Sequence, residues 1–370
     1  MARDPRVTLD PRVLAGQLLV TGFDGPTLSD RTRAALERGE RAGVILFKRN
    51  LPTTSATVAL TRQIREASAK ADPSRPPLVA IDEEGGRVTR LPPGEPRLPP
   101  MRALGAIGDV DLVERAGRAV GARLLELGFN LDFAPILDVD SNPANPVIGD
   151  RAFGSSPDLV ATLGLAFARG LAAGGVLACG KHFPGHGDTD KDSHFDLPVV
   201  RHDRARLDRV ELAPFRAAAS AGLESIMSAH VVMEAIDGAV PATFSRAAMS
   251  DLLRGDLGFG GVLVSDDLEM RAVSALKPPE ESALIAITAG CDLLLVCKDE
   301  DAADRAHAAL AQEIQRSPPF AARASEAAER VRALRDLAGS RAASAEPGGP
   351  TIHDVLEQIE ESLGRVTVIP

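Results

Sequence analysis

The sequence predicts an α/β fold, a single (β/α)8 TIM-type barrel with a short C-terminal helical tail, from three observations. Eight short apolar runs rich in β-branched residues recur along the 370 residues. The stretches between them are long enough for one amphipathic helix each, and polar residues follow several of the runs. Nearly continuous apolar strands alternating with helices are typical of a parallel sheet covered on both faces. Eight such units favour a barrel over the alternative, a doubly wound sheet.

The elements follow from the hydrophobic pattern, taken in order along the chain. The predicted strands are residues 18–23, 44–47, 78–81, 131–134, 176–179, 225–229, 262–264 and 293–296. The predicted helices are residues 29–38, 53–70, 110–127, 158–172, 207–221, 245–253, 279–289 and 302–315. Several of these helices begin at Ser, Thr or Asp, which are preferred N-cap residues. The barrel is expected to occupy residues 1–338, followed by a polar linker at 339–350 and a helical tail at 351–370.

Chemically active side chains fall at or just beyond the C-terminal ends of the predicted strands. They are Asp82, Asp138, Lys181, His182, His230 and Asp266. In a barrel these strand ends form one ring, so residues far apart in sequence converge on one face. This placement favours the barrel over the doubly wound sheet.

The composition of the chain indicates which partners and which cellular location to expect. The chain has 42 basic and 52 acidic residues, a net charge of −10, which argues against a nucleic-acid partner. The N-terminus lacks the apolar segment of a secretory signal, and no apolar run reaches membrane-spanning length, so a cytoplasmic protein without a membrane partner is expected. Three cysteines without a CxxC pair predict core residues and no disulfide framework. With neither Trp nor Tyr, the chain would hold a sugar mainly by hydrogen bonds.

The most polar stretch, KHFPGHGDTDKDSH at 181–194, must be a loop because Pro184 and Gly185 interrupt any regular element. His182 and His186 have i, i+4 spacing, but the same breakers exclude the helix that makes this spacing useful to zinc. Convergence of His182, His186, Asp188 and His194 on a metal through loop folding remains an alternative. We predict no metal and no cofactor.

Two groups of residues suggest catalysis. In Asp192-Ser193-His194, the carboxylate is placed to orient the imidazole and raise its basicity. Asp266 and Asp267 follow an apolar strand, and alternation directs at most one of them towards the barrel axis. A carboxylate nucleophile and an acid/base are the two parts that a retaining glycosidase needs. The alternatives are a helix cap for the aspartates and a solvated loop for the histidine.

Two further loops combine acids with arginines. One covers residues 81–90 after the third predicted strand, and the other covers residues 145–154 after the fourth. Arginine pairs with planar acceptors and carboxylates accept pairs of hydroxyl groups, so a polyhydroxylated ligand suits both loops. Surface salt bridges are the alternative for any one of these residues.

Four motifs, DEEGGRVTR, GDRAFG, KHFPGHGDTDKDSH and GFGGVLVSDDLEM, stand in this order along the chain. Together they resemble glycoside hydrolase family 3, in particular its bacterial β-N-acetylhexosaminidase branch. The resemblance implies a retaining exo-β-N-acetylglucosaminidase. Such an enzyme cleaves terminal β-linked N-acetylglucosamine by double displacement, and the implied substrates are cell-wall (muropeptide) fragments handled in the cytoplasm.

The resemblance also implies roles for individual residues. Asp266 matches the nucleophile, His194 the acid/base, and Asp192 the carboxylate paired with that histidine. The positions matching those that hold the N-acetylglucosamine ring are Asp82, Arg90, Arg151, Lys181 and His182. One departure is Glu83, which stands where the family commonly has Gln.

Two other functions stay open from the sequence. A phosphorylase of the same family would transfer the sugar to phosphate instead of water, and a catalytically inactive barrel would only bind sugar. The expected partner in each case is a small carbohydrate containing N-acetylglucosamine. A monomer is expected, although the sequence does not set the oligomeric state.

Overall fold

A computed structural model describes residues 10–189 and 197–366, and a closed barrel of parallel strands lies at its centre. The strands are β1 (Leu19–Thr21), β2 (Gly43–Ile45), β3 (Leu78–Ile81), β4 (Leu131–Asp132), β5 (Leu177–Phe183), β6 (Val199–Val200), β7 (Ser225–Ser228), β8 (Val232–Met233), β9 (Val262–Asp267) and β10 (Leu293–Val296). The order around the barrel is β1-β10-β9-β7-β5-β4-β3-β2, with neighbours parallel. β6 and β8 form a separate two-stranded sheet. The predicted TIM-type fold is therefore confirmed.

All eight predicted strands belong to the barrel, but two of them extend further than predicted. β5 continues through Lys181 and His182 to Phe183, and β9 continues to Asp267. The register of β5 with β7 shifts between Gly180 and Phe183 of β5. The register of β9 with β10 shifts between Leu293 and Leu295 of β10. Polar residues that the hydrophobic pattern placed beyond the strands thus lie within them, because pairing continues past the apolar run.

Helices surround the barrel. They are α1 (Pro11–Gly16), α2 (Asp30–Glu37), α3 (Thr54–Ala69), α4 (Met101–Ile107), α5 (Val110–Leu127), α6 (Pro157–Ala173), α7 (Arg204–Arg209), α8 (Ala213–Ser220), α9 (Glu234–Asp237), α10 (Arg271–Ser274), α11 (Pro279–Ala289), α12 (Glu300–Arg316), α13 (Pro318–Ser344) and α14 (Ile352–Val366). Side-chain oxygens cap the N-termini of α2, α3, α5 and α6, as the residue types at these positions predict. The capping residues are Ser29, Thr53, Asp109 and Ser156, respectively. In both described ranges, the helices are too short or too polar to cross a bilayer.

Two helix predictions need correction. The helix predicted at 207–221 is broken into α7 and α8, because Pro214 lies in the first turn of α8 and lacks the N–H that a continuous helix would use. The helix predicted at 245–253 is a π-helix at Ala247–Asp256. The sequence pattern also missed α1, α4, α9, α10 and α13. The first four are too short to show periodicity, and half of the buried residues of α13 are alanines, which stand out little from the other residues.

The helix α13 closes the N-terminal end of the barrel. Its Val331 and Leu334 pack into the same apolar cluster as residues inside the barrel, including Leu131 and Met227. Arg335 of α13 donates hydrogen bonds to the Gln17 side chain at 2.7 Å and to the Pro76 carbonyl at 2.9 Å, just before β1 and β3. The C-terminal end of the barrel is the end that remains polar.

The C-terminal region differs from the predicted linker at 339–350, because α13 continues to Ser344. Gly339 does not end the helix, and it sits where a side chain would meet Pro76 at 3.4 Å. The tail helix α14 packs against α4 and α5. Its Ile352, Val355 and Ile359 are each at most 3% exposed, so the tail is docked on the barrel's helical layer.

Candidate active site

A cavity of about 190 Å³ opens at the C-terminal ends of the barrel strands. Asp266 and all five residues predicted to bind the sugar line it, namely Asp82, Arg90, Arg151, Lys181 and His182. Part of its wall is apolar, formed by Phe47, Phe133, Val147, Met227, Met270 and Leu295. Residues from distant parts of the sequence therefore meet at one face, as the barrel topology predicts.

Lys181 is held at the base of this cavity by two carboxylates. Its Nζ lies 2.6 Å from Asp82 Oδ1 and 2.6 Å from Glu84 Oε1, and its side chain is 3% exposed. Burial by itself lowers the pKa of Lys181, but the charges of Asp82 and Glu84 outweigh it and raise the pKa above the usual value. Lys181 is therefore a fixed cation, and two of its N–H donors already point at the carboxylates of Asp82 and Glu84.

Glu84 lines the cavity, and the sequence analysis did not assign it a role. It accepts a bidentate pair from Arg151, with Nε to Oε2 at 2.8 Å and Nη2 to Oε1 at 2.9 Å. Burial alone raises the pKa of this carboxyl group, but Arg151 and Lys181 hold it well below its ordinary range. Its position two residues after Asp82 could have indicated that it shares the cavity, because side chains two residues apart in an extended chain point to the same side.

Asp138 organises the histidines of β5 and the following loop. Its Oδ2 lies 2.7 Å from His182 Nδ1, and its Oδ1 accepts the backbone N–H of His186 at 2.6 Å. Burial raises the pKa of Asp138, but His182 and His186 together outweigh burial and lower the pKa below its ordinary value. With Nδ1 engaged by a carboxylate, Nε2 is the ring nitrogen that His182 can offer to a ligand. The sequence placed Asp138 at a strand end but gave it no role.

The loop after β5 is tied to the loop after β4 through His186 and Asn145. His186 Nδ1 lies 2.7 Å from Thr189 Oγ1, and Asn145 Nδ2 donates to the His186 carbonyl at 2.9 Å. Burial and the neighbouring His182 lower the pKa of His186 to about 4, so this ring is neutral at physiological pH. A Cβ at Gly187 would lie 1.7 Å from the Val139 carbonyl oxygen, so the close approach of the two loops requires glycine there.

The adjacent aspartates of β9 have different environments. Both Asp266 and Asp267 line the cavity, and Asp266 accepts the backbone N–H of Asp267 at 2.8 Å. Asp267 Oδ1 instead accepts the backbone N–H groups of Glu269 at 3.1 Å and Cys297 at 3.2 Å. Burial, helped by the charge of Glu269, raises the pKa of Asp267 to about 7. The carboxylate of Asp267 is thus used to form the turn after β9.

Glu83, the departure from the family pattern, stabilises the loop that carries Arg90. Its Oε2 accepts Thr89 Oγ1 at 2.8 Å and the backbone N–H groups of Arg90 and Leu91 at 2.8 and 3.2 Å. The side chain is buried, and burial raises its pKa to about 7 despite these hydrogen bonds. Glu83 therefore acts on the cavity indirectly, through the position of Arg90.

Two predicted catalytic residues, Asp192 and His194, lie outside the described residues. They belong to the segment 190–196, between Thr189 and Leu197. Their assignment as acid/base and partner carboxylate remains a prediction.

Comparison with known proteins gives consistent matches. The family model described as "Glycosyl hydrolase family 3 N terminal domain" matches residues 4–334. A beta-hexosaminidase from Chromobacterium violaceum is 41% identical over 323 residues, which is 84% of this chain and 88% of that protein. A family 3 β-N-acetylglucosaminidase from Paenibacillus sp. str. FPU-7 is structurally similar, with a TM-score of 0.88 and 39% identity over 98% of this chain and 68% of that one. NagZ from Neisseria gonorrhoeae, solved with N-trifluoroacetyl-D-glucosamine, has a TM-score of 0.71 and 33% identity over 85% of this chain and 98% of that one.

Proposed function

The chain belongs to glycosyl hydrolase family 3 and is a β-hexosaminidase, and from this premise we propose that it removes terminal β-linked N-acetylglucosamine from cell-wall (muropeptide) fragments in the cytoplasm. The observation that carries the proposal is the cavity in which Asp266 meets five hydrogen-bonding side chains suited to a sugar. The similarity to an enzyme solved with an N-acylated glucosamine supports the choice of sugar.

The size and position of the cavity support removal of one terminal sugar at a time. Its volume of about 190 Å³ lies below the roughly 300–1,000 Å³ typical of pockets for drug-sized ligands. The barrel interior beneath it is filled by apolar side chains. A single ring therefore suits the space, with the rest of the substrate directed outwards.

The charged network is suited to grip the ring. Asp82 is a carboxylate that can accept a pair of hydroxyl groups, while Lys181 and Arg151 supply donors that Glu84 already holds in place. Because these charges are paired before the sugar arrives, little reorganisation is needed on binding. The acetamido oxygen is an acceptor suited to the arginines Arg90 and Arg151.

In the first chemical step, a carboxylate oxygen of Asp266 attacks the anomeric carbon. The bond from that carbon to the leaving oxygen breaks, and His194 protonates that oxygen, with Asp192 stabilising the imidazolium. The product is a covalent glycosyl-enzyme ester.

In the second step, neutral His194 takes a proton from water as the water attacks the anomeric carbon. The ester bond to Asp266 breaks, the carboxylate is regenerated, and His194 is again protonated. Two inversions give net retention of configuration.

The change Asp266→Asn tests the nucleophile. We expect kcat for an aryl β-N-acetylglucosaminide to fall at least about 10³-fold, since an amide cannot form the ester. Asp24→Asn is the matched control, because Asp24 follows β1 at the same end of the barrel and its side chain is 68% exposed. Near-native turnover by the Asp266→Asn protein would end the assignment.

The change His194→Ala tests the acid/base. We expect its effect on kcat/KM to be much larger for a substrate with a poor leaving group than for an activated aryl glycoside, because an activated group departs without protonation. His353→Ala, an exposed histidine of α14, is the control. Equal losses on both substrates would argue against proton transfer by His194.

Product analysis with and without inorganic phosphate separates hydrolysis from phosphorolysis. We expect free N-acetylglucosamine in both conditions and no accumulation of sugar 1-phosphate. Formation of the 1-phosphate would reassign the chain to the phosphorylase alternative. Absence of any turnover by the native protein would favour the inactive sugar-binding barrel.

A further inference from the structure

A second cluster of chemically active side chains lies beside the cavity and takes no part in the mechanism above. In the part of the chain that the structure describes, Asp188, His202 and Glu211 form the one group of three His, Cys, Asp or Glu side chains close enough to hold a metal ion. One potential ligand atom from each lies within 4.8 Å of the others. We propose that this triad is a binding site for a divalent transition metal, with zinc as the ion that fits best.

The donor set matches zinc chemistry. One imidazole nitrogen and two carboxylate oxygens are common zinc ligands, with metal–ligand distances of about 2.0–2.2 Å. Ligands at that distance in a tetrahedral site lie about 3.3–3.6 Å apart, so the present arrangement needs only small side-chain adjustments. His202 Nε2 already contacts Asp188 Oδ2 directly. Three protein ligands leave a fourth position for water.

Glu211 provides independent support, because its buried carboxylate lacks a full set of partners. The side chain is 2% exposed, and its Oε1 accepts one hydrogen bond, from Arg206 Nη2 at 3.2 Å. Its Oε2 is buried and has no hydrogen-bond partner among the described residues. A buried carboxylate oxygen without a partner is costly, and a cation at the triad would satisfy it.

The local charge also favours a cation. Among the described residues, the triad brings together two carboxylates, those of Asp188 and Glu211, and the guanidinium of Arg206 pairs with Glu211. Asp188 is 19% exposed and His202 is 37% exposed, so the group has a buried side and a side open to solvent. A metal ion could enter from the open side and neutralise the group.

The backbone brings the three ligands together from separate segments. Gly185 has a φ of +127°, and a Cβ there would lie 2.9 Å from the Cβ of Glu211, so the close approach of this loop to Glu211 depends on glycine. His202 stands just before Asp203, which caps α7 through a 2.7 Å hydrogen bond from the Arg206 N–H. Glu211 lies in the break between α7 and α8. That break, which the sequence did not predict, positions the deepest ligand.

The site has a consequence for catalysis that rests on the proposed function. Asp188 precedes the segment 190–196 and His202 follows it, while Asp192 and His194 lie between them in sequence. A metal ion bound to both Asp188 and His202 would fix the separation of the chain on either side of the acid/base pair.

Calorimetric titration of the chelator-treated protein with Zn²⁺ tests the site, with Co²⁺ absorption spectra as a second readout. We expect one Zn²⁺ per chain, and at least about tenfold weaker binding in both His202→Ala and Glu211→Gln, since each loses a ligand. His353→Ala and Asp266→Asn should bind like the native protein. Zn²⁺ should also raise the Tm of the native protein and not that of the two ligand variants.

Either of two outcomes would overturn the proposal. The native protein could show no stoichiometric binding, which would make the triad a hydrogen-bonded cluster only. Binding could persist in both ligand variants and vanish in His194→Ala, which would place the ion at the predicted acid/base pair instead. Neither binding readout needs turnover, so failure of the proposed hydrolase activity and failure of the metal site are separately visible.

Discussion

Glu84 is the residue on which the polar side of the cavity depends most. It accepts from Lys181 and Arg151 at once, and all three side chains are largely removed from solvent. Each cation would be costly to bury alone, so the three charges stabilise one another only as a set. Their arrangement forms without a ligand, and under the proposed function the sugar hydroxyls would meet donors that are already positioned.

Replacing the Glu84 carboxylate tests whether the cavity depends on its pairing with Lys181 and Arg151. In Glu84→Gln, the amide cannot pair with two cations, so we expect kcat/KM to fall on the order of 10²-fold and the Tm to fall as well. Glu95→Gln is the matched control, because Glu95 forms a bidentate pair with Arg123 away from the cavity, at 2.6 and 2.8 Å. That control should lower the Tm while leaving kcat/KM within about threefold. Equal loss of kcat/KM in the two variants would mean that Glu84 acts only on global stability.

In the loop after β3, one buried acid, Glu83, determines the conformation of the segment that carries Arg90. The Glu83 carboxylate accepts hydrogen bonds from three groups at residues 89–91, which folds the loop back towards the strand. Burial nevertheless raises the pKa of Glu83 to about 7, from an ordinary value of 4.5. The folded state therefore favours the protonated acid. The stability that this preference gives is fully present below pH 4.5 and is lost as the pH rises through about 7.

The change Glu83→Gln should therefore stabilise the protein more at high pH than at low pH. Glutamine keeps an oxygen acceptor for Thr89 and for the backbone N–H groups, but it has no charge to bury. We expect the free energy of unfolding of the variant, relative to the native protein, to rise by roughly 2 kcal/mol between pH 5 and pH 8. Urea denaturation at the two pH values measures this difference. A difference that is the same at both values would show that Glu83 does not hold its proton in the folded state.

At the scale of the whole molecule, the two ends of the barrel have opposite characters. α13 fills the N-terminal end with apolar side chains, and Arg341 of this helix also pairs with Glu224, just before β7. The C-terminal end carries the cavity, the paired charges and the metal triad that we propose. The tail helix α14 lies at neither end of the barrel. It packs on α4 and α5, and none of its described residues lines the cavity.

Removal of residues 351–370 should consequently affect stability more than catalysis. The truncation exposes the surface that Ile352, Val355 and Ile359 cover, and each of these side chains contributes about 1.5–3 kcal/mol of burial before the cost of ordering the helix. We expect a lower Tm, with kcat/KM within about threefold at temperatures well below it. In the full chain, Val355→Asp should lower the Tm, and the exposed Glu357→Asp should not. A proportional loss of kcat/KM would show instead that the tail supports the cavity through α4.

Much of this architecture follows from local sequence pattern. Apolar runs separated by helix-length segments predicted all eight barrel strands, because period and residue type depend on neighbours in the chain. The placement of Asp82, Lys181, His182 and Asp266 at strand ends then predicted that they share one face. The four motifs gave the family, and the relatives support it.

Other features were decided by the tertiary structure alone. Strand pairing, which depends on the neighbouring strand, extended β5 and β9 past their apolar runs. The role of Glu84 depends on Arg151, which lies 67 residues away, and that of Asp138 on His182, which lies 44 residues away. The sequence by itself determined which chemical groups stand at the ends of strands. Only folding decided which of them are buried together, and burial is what sets their charges and fixes their partners.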